Sequence, residues 1–237
     1  MIHELCILFS YHADDELTRL HYDELRRSNP MYPIVPLVDE DLKSYLPGAI
    51  DVRKFADRWP AARPWRRCDT KLYRWFENRS VDARRYVLLE YDCLVTVDLA
   101  QAYREVWDVD VAARDCFLPD DRLDTRQGEL TGKKWYWFRE VSSLDRIDRQ
   151  HAAGLVPLAC TFFSHRGLEA IVATVTRKDV FCELRLGTAA RKAGLTLTPF
   201  PGSLRETVRW DPIVPPEEPA GVYHAVKDSV IRPRSSR

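Results

Sequence analysis

Residues 84–97, RRYVLLEYDCLVTV, constrain the fold more than any other stretch of this chain. A basic pair leads into the apolar run 86–89. Two carboxylates follow at alternate positions, Glu90 and Asp92, and a second apolar run occupies 94–97. Runs this short and this apolar predict strand buried on both faces, and neither is long enough to cross a membrane. An unpaired acid is costly inside such a strand, so Glu90-Tyr91-Asp92 is expected at its exposed end. Side chains two apart on an extended chain point the same way, which lets both carboxylates face one ligand. Carboxylate oxygens suit a hard divalent cation, while two solvated acids in a turn are the plainer use of the same residues.

Composition narrows the class. At 237 residues, 45% apolar and 11% aromatic, the chain is long enough for one domain with a sizeable core. Its 36 basic and 36 acidic side chains sum to a formal charge of zero, which gives no reason to expect nucleic acid or an anionic membrane as the main partner. Six scattered cysteines without a CxxC predict reduced, buried thiols. Glu4 stands near the start, there is no basic leader, and the apolar run at 5–9 is too short for a signal core. The expectation is a soluble, cytoplasmic protein with no transmembrane segment.

Along the chain, residues 3–11 read as a buried strand. Asp14-Asp15 can cap a helix with Leu17, Leu20 and Leu25 inward and His21 on its flank, and 32–38 form a second strand ending at Asp39. A short helix is expected over 51–59 and a longer one over 68–78 with Leu72 and Phe76 on one face, leading directly into the strand before Glu90. Beyond it come a short helix at 98–107, a strand at 114–118, a polar loop at 120–134 and an aromatic strand at 135–141. Helices follow at 142–153 (Leu144 and Ile147 inward), 165–177 and 180–193, with a buried segment at 155–163 and a strand at 195–200. Past residue 210 the chain turns Pro- and Glu-rich and reads as a strap. The alternation predicts an α/β fold, a mostly parallel sheet covered by helices.

Three further groups carry candidate chemistry. His224 lies in GVYHAVK, just after the Pro-rich stretch and three residues before Lys227. Those residue types suit either a hydrogen-bonded surface histidine or a metal ligand with a lysine ready for phosphate oxygens. Glu183 opens ELRLG, as a dipole-favoured acid at a helix start or as a proton acceptor. Trp135, Tyr136, Trp137 and Phe138 are core, or a platform for sugar C–H faces.

With Glu90-Tyr91-Asp92, this order of motifs resembles the GT-A fold glycosyltransferases over roughly residues 2–227. The resemblance implies a single domain with a Rossmann-like, mixed, mostly parallel sheet flanked by helices. It also implies a donor half at about 1–100, an acceptor half at about 101–210, a strap at 211–227 and a disordered tail at 228–237. It implies Mn2+ or Mg2+ held by Glu90, Asp92 and His224, although glutamate stands where the family's DxD pattern has its first aspartate. Asp92 is then the direct ligand, and Glu90 a weaker ligand or a holder of the ribose. Glu183 matches the family's general base, with Leu184 in the place of a common second acid; with Glu183 as base the reaction inverts the anomeric carbon, and without it a retaining mechanism stays open. Ser10, Tyr11, Asp39, Asp69, Lys71 and Lys227 fall at positions that contact the donor. The implied substrates are a nucleoside-diphosphate sugar and an acceptor hydroxyl.

Two other classes compete. A nucleotidyltransferase on a related sheet needs a glycine-rich loop after the first strand, and SYHADD at 10–15 contains no glycine. A catalytically inactive protein that keeps the fold and binds a nucleotide or sugar is the alternative favoured by the departures at Glu90 and Leu184.

Overall fold

The computed structural model describes residues 2–55, 66, 68–120, 135–209 and 212–227. The first buried run forms strand β1 (Cys6–Tyr11), followed by helix α1 (Glu16–Ser28) and strand β2 (Ile34–Val38). Asp15 caps α1 by accepting the Thr18 N–H at 2.8 Å, as its place before the helix predicts. After a two-residue strand β3 (Ile50–Asp51) and a single 3-10 turn at Val52–Lys54 comes helix α2 (Asp69–Glu77). Strand β4 (Arg85–Glu90) then places the organising run. Val87 and Leu89 join one apolar cluster with Ile7 and Phe9, whereas Tyr86 and Leu88 join another with Cys6 and Leu8. The sheet therefore has a core on each face, which is why the run carries no polar alternation.

The remaining elements are β5 (Leu94–Val95), α3 (Leu99–Ala102), β6 (Val111–Ala113), β7 (Asp115–Phe117), α4 (Arg146–Gln150), β8 (Gly154–Val156), β9 (Thr161–Ser164), α5 (His165–Thr174), α6 (Cys182–Lys192), β10 (Leu197–Pro199), α7 (Gly202–Thr207) and β11 (Val222–Tyr223). Seven strands make one sheet in the order β10-β6-β9-β4-β1-β2-β3. Every strand in it is parallel to its neighbour except β9, which runs antiparallel to both β4 and β6. Helices α2, α5 and α6 cover one face, and α1, α3 and α7 the other. This is the α/β, mostly parallel, helix-flanked sheet that the sequence predicts. Helix α6 sits flush on the chain before β8 because Gly187 has no side chain: an added Cβ would lie 2.4 Å from the Ala153 carbonyl oxygen. Among the described residues, no helix is long and apolar enough to cross a membrane.

Several expectations are corrected. The buried stripe of α1 is Thr18, His21, Tyr22 and Leu25, with Leu17 and Leu20 only half-buried, because α1 packs its polar side on the loop after β4. The aromatic stretch expected as a strand is a 3-10 helix, Tyr136–Ser143. Its shape follows from contacts: Trp135 packs flat against Gly154 and near Phe117, and the Glu140 carboxylate takes the Phe181 N–H at 2.8 Å. The helix expected over 142–153 is only Arg146–Gln150, with Ile147 61% exposed. Its buried member is Asp148, paired with Lys192 at 2.7 Å. The strand expected at 114–118 is the shorter β7, and a strand not expected from the sequence, β6, precedes it with Arg114 between the two. Of the expected helix 51–59 the structure shows only the 3-10 turn at Val52–Lys54, while residues 56–59, and 121–134 of the expected loop, lie outside the described residues.

Candidate active site

The carboxyl ends of β2, β1 and β4 stand side by side: Tyr11 is in register with Val38, and Ser10 with Glu90. In open α/β sheets this edge is where ligands bind. The sequence-predicted residues Ser10, Asp39, Glu90 and Asp92 all reach it, because each follows or ends an apolar run. Ser10 and Glu90 share a face of the sheet. Tyr11 turns its ring into the core and offers only its carbonyl to this edge, where it accepts a hydrogen bond from Lys71 Nζ at 2.9 Å. Lys71 Nζ also lies 2.9 Å from Asp39 Oδ1, an ion pair by distance whose angles fall short of a hydrogen bond.

The strap is brought to this edge by β5. Strand β11 pairs antiparallel with it, Val222 opposite Val95 and Tyr223 opposite Leu94. The Thr96 hydroxyl donates to the Pro219 carbonyl at 2.8 Å, and the Val226 N–H donates to the Asp92 carbonyl at 2.9 Å. Leu94, Tyr223 and Val226 close a small apolar cluster of their own. On the other flank, the His224 N–H donates to Thr207 and its carbonyl accepts from the Arg209 N–H. The strap is thus a laced segment, not a loose tail.

This lacing puts His224 and Lys227 on Asp92. The Lys227 ammonium pairs with Asp92 Oδ2, and His224 Nε2 lies 3.6 Å from Asp92 Oδ1. Asp92 is 1% exposed and, among the described residues, its Oδ1 has no hydrogen-bond partner. His224 Nδ1 is 2.6 Å from the Arg209 carbonyl oxygen. A carbonyl only accepts, so Nδ1 carries a proton, and in the neutral ring Nε2 presents its lone pair toward Asp92. An orphaned carboxylate oxygen facing an imidazole lone pair is a repulsive arrangement alone and a fitting one around a divalent cation. Asp92 and His224 therefore fit the metal the sequence implies. Glu90 is half-buried beside them, and burial followed by the Asp92 charge pushes its carboxyl above the ordinary range.

Glu183 and Asp69 lie deeper, under the same edge. Glu183 is buried on the first turn of α6. Its Oε1 accepts the Leu158 N–H at 2.9 Å, and its Oε2 has no partner among the described residues. Burial raises its pKa well above the usual carboxylate value, against the pull of the Leu158 N–H and with help from the Glu90 and Asp69 charges. Asp69 is fully buried and accepts from Arg185 with both oxygens, Nε at 2.8 Å on Oδ2 and the terminal nitrogen on Oδ1. Its carboxylate is therefore committed to joining α2 to α6.

Two residues of this edge were missed in the sequence, and a third, His21, is expected from it only on the flank of the apolar face of α1. His12 follows β1, is exposed, and meets the Tyr91 ring edge-on at 4.4 Å. Cys93 is fully buried and its sulfur accepts the Glu90 N–H at 3.4 Å. His21 is also fully buried, and its Nδ1 donates to the Tyr91 carbonyl at 2.9 Å, which pins the turn between the two acids. Helical spacing from Leu25 (i−4) could have identified His21 as inward-facing; nothing short of the turn geometry marks the other two.

No family model and no curated protein matches the chain. Its fold is similar to solved structures at low identity. One is the bifunctional glycosyltransferase WbbM in its apo form: 13% identity, 85% of this chain and 39% of that one, TM-score 0.43. Another is the galactosyltransferase LgtC in complex with donor and acceptor sugar analogues: 13% identity, 82% of this chain and 72% of that one, TM-score 0.39. A third is 4-diphosphocytidyl-2C-methyl-D-erythritol synthase from Anaerococcus prevotii: 5% identity, 72% and 73%, TM-score 0.37. The chain thus spans well under half the length of the first of these, and its function is read from the site's own geometry.

Proposed function

We propose that this chain is a glycosyltransferase that binds a nucleoside-diphosphate sugar with a divalent cation, Mn2+ or Mg2+, and passes the sugar to an acceptor hydroxyl. The observation that carries the reading is the buried, unbonded Asp92 Oδ1 facing the His224 lone pair at the carboxyl edge of parallel strands. Asp92 and His224 hold the ion, with Glu90 beside them. A divalent cation there offsets the negative charge that develops on a departing diphosphate, without any proton transfer.

The chain's own residues do the rest. The Lys227 side chain is 46% exposed, so its ammonium can leave Asp92 Oδ2 for a phosphate oxygen without disturbing the core. Ser10 and the Lys71–Asp39 pair lie where the nucleoside enters along the strand ends. The strap, laced to β5 on one side and to the end of α7 on the other, screens the donor from water. Glu183, with a raised pKa and one unbonded oxygen, takes the proton of the acceptor hydroxyl, which makes the transfer inverting.

Thermal melting with UDP, GDP, CDP and dTDP, each with and without Mn2+, tests this on the wild type and on Asp92→Asn. One diphosphate should raise Tm only when both the metal and Asp92 are present. A well-folded protein that no nucleotide stabilises would overturn the reading. Stabilisation without any donor hydrolysis or transfer would instead mark a protein that binds the nucleotide and has lost the chemistry.

A further inference from the structure

Cys93 follows Asp92 directly and is absent from the ligand set argued so far. Its Sγ, a carboxylate oxygen of Asp92 and a ring nitrogen of His224 all lie within 4.8 Å of one another, and all three residues are buried. A tetrahedral ion with bonds of about 2.0–2.3 Å separates its ligand atoms by about 3.3–3.8 Å. The 3.6 Å between Asp92 Oδ1 and His224 Nε2 already has that spacing. The sulfur needs to approach by about 1 Å or less, a small swing of a side chain in a turn.

We propose that Cys93, Asp92 and His224 form a three-ligand site for a thiophilic divalent cation of the zinc class, with a fourth position left open to water or a phosphate oxygen. The inference rests on the strap site being a divalent-cation site and adds which ions it prefers. Oxygen and imidazole alone suit Mn2+ or Mg2+. One thiolate shifts the preference toward Zn2+ and Cd2+, which also stand above Mn2+ or bind sulfur more strongly. On binding, the Cys93 S–H bond breaks, its proton goes to solvent, and the sulfur–metal bond forms; no electron changes hands. Thiolate and carboxylate together then cancel the ion's two charges, which suits a buried position. The Glu90 N–H already directed at Cys93 Sγ stays in place and supports the anionic sulfur.

Cd2+ titration of the full chain tests this by ultraviolet thiolate-to-cadmium charge-transfer absorption. One equivalent should develop the band, and Cys93→Ser should abolish it and weaken Cd2+ binding by about 10-fold or more. The same variant should weaken Mn2+ binding far less than it weakens Cd2+ binding. Cys160→Ser, which removes the thiol 3.5 Å away, should keep the band. X-ray absorption of the wild-type zinc form needs no variant and should show one sulfur at about 2.3 Å with nitrogen and oxygen neighbours. A zinc shell without sulfur, or a band that survives in Cys93→Ser, overturns the inference. If Mn2+ and a nucleoside diphosphate still raise Tm in that case, the transferase reading stands without it; if they do not, both fall.

Discussion

Asp69 and Asp92 are both buried aspartates with a basic partner, and they are finished differently. Asp69 gives both oxygens to Arg185, whose remaining donors go to the Lys178, Val180 and Arg66 carbonyls. The pair is closed, with 2% and 0% of the two side chains exposed. Asp92 gives one oxygen to a half-exposed lysine and leaves the other bare before an imidazole lone pair. A closed buried pair stabilises a helix crossing. An open one leaves electrostatic demand for something else to meet. Carboxylates with similar burial can thus have opposite purposes, and the count of satisfied oxygens tells them apart.

The largest effect is expected where the closed pair is broken. Asp69→Ala strands the Arg185 guanidinium in the core and should lower stability by about 3–5 kcal/mol in urea unfolding. A loss below about 1 kcal/mol would mean that Asp69 is not held as the geometry shows. Next comes the packing that carries Arg185. Gly187→Ala on α6 should cost about 1–3 kcal/mol, since its new methyl meets the Ala153 carbonyl and must push α6 off the chain before β8.

Asp92→Asn should move stability by no more than about 1 kcal/mol, in either direction, because its ionic partner is half in water. It should nonetheless abolish the metal-dependent Tm shift. A large stability loss with the shift retained would reverse the comparison. The last effect is a pH dependence at Glu183. Its folded pKa is raised above the ordinary 4.5, so the stability it contributes is full below that value and is lost as pH rises toward the folded pKa. Glu183→Gln removes the titration, so the variant should gain on the wild type as pH climbs from about 4.5. Parallel melting curves at every pH would show that Glu183 does not titrate in this way.

Local pattern made much of the site's floor legible. Residues 86–89 had to be a strand with two buried faces, and Glu90-Tyr91-Asp92 had to leave it, because no carboxylate sits unpaired between apolar layers. The same logic located Ser10 and Asp39 at the ends of β1 and β2. It failed where contact, and not period, decides shape. Residues 135–141 alternate like a strand, yet Trp135 finds its partner in Gly154 and Glu140 its partner in Phe181, so the chain winds instead. Asp69 falls at a donor-contacting position only by resemblance to the family; its pairing with Arg185, 116 residues later, is visible only in the fold.

By itself the sequence determined the strand–helix alternation, the cap at Asp15 and the emergence of two acids at the end of β4, all properties of neighbours along the chain. The tertiary structure decided which of those acids is left open. Lys227 meets Asp92 across 135 residues only because β11 pairs with β5 and the strap is laced between β5 and the end of α7. Period and propensity act over a turn or a strand, whereas an unbonded oxygen is defined by everything that packs around it.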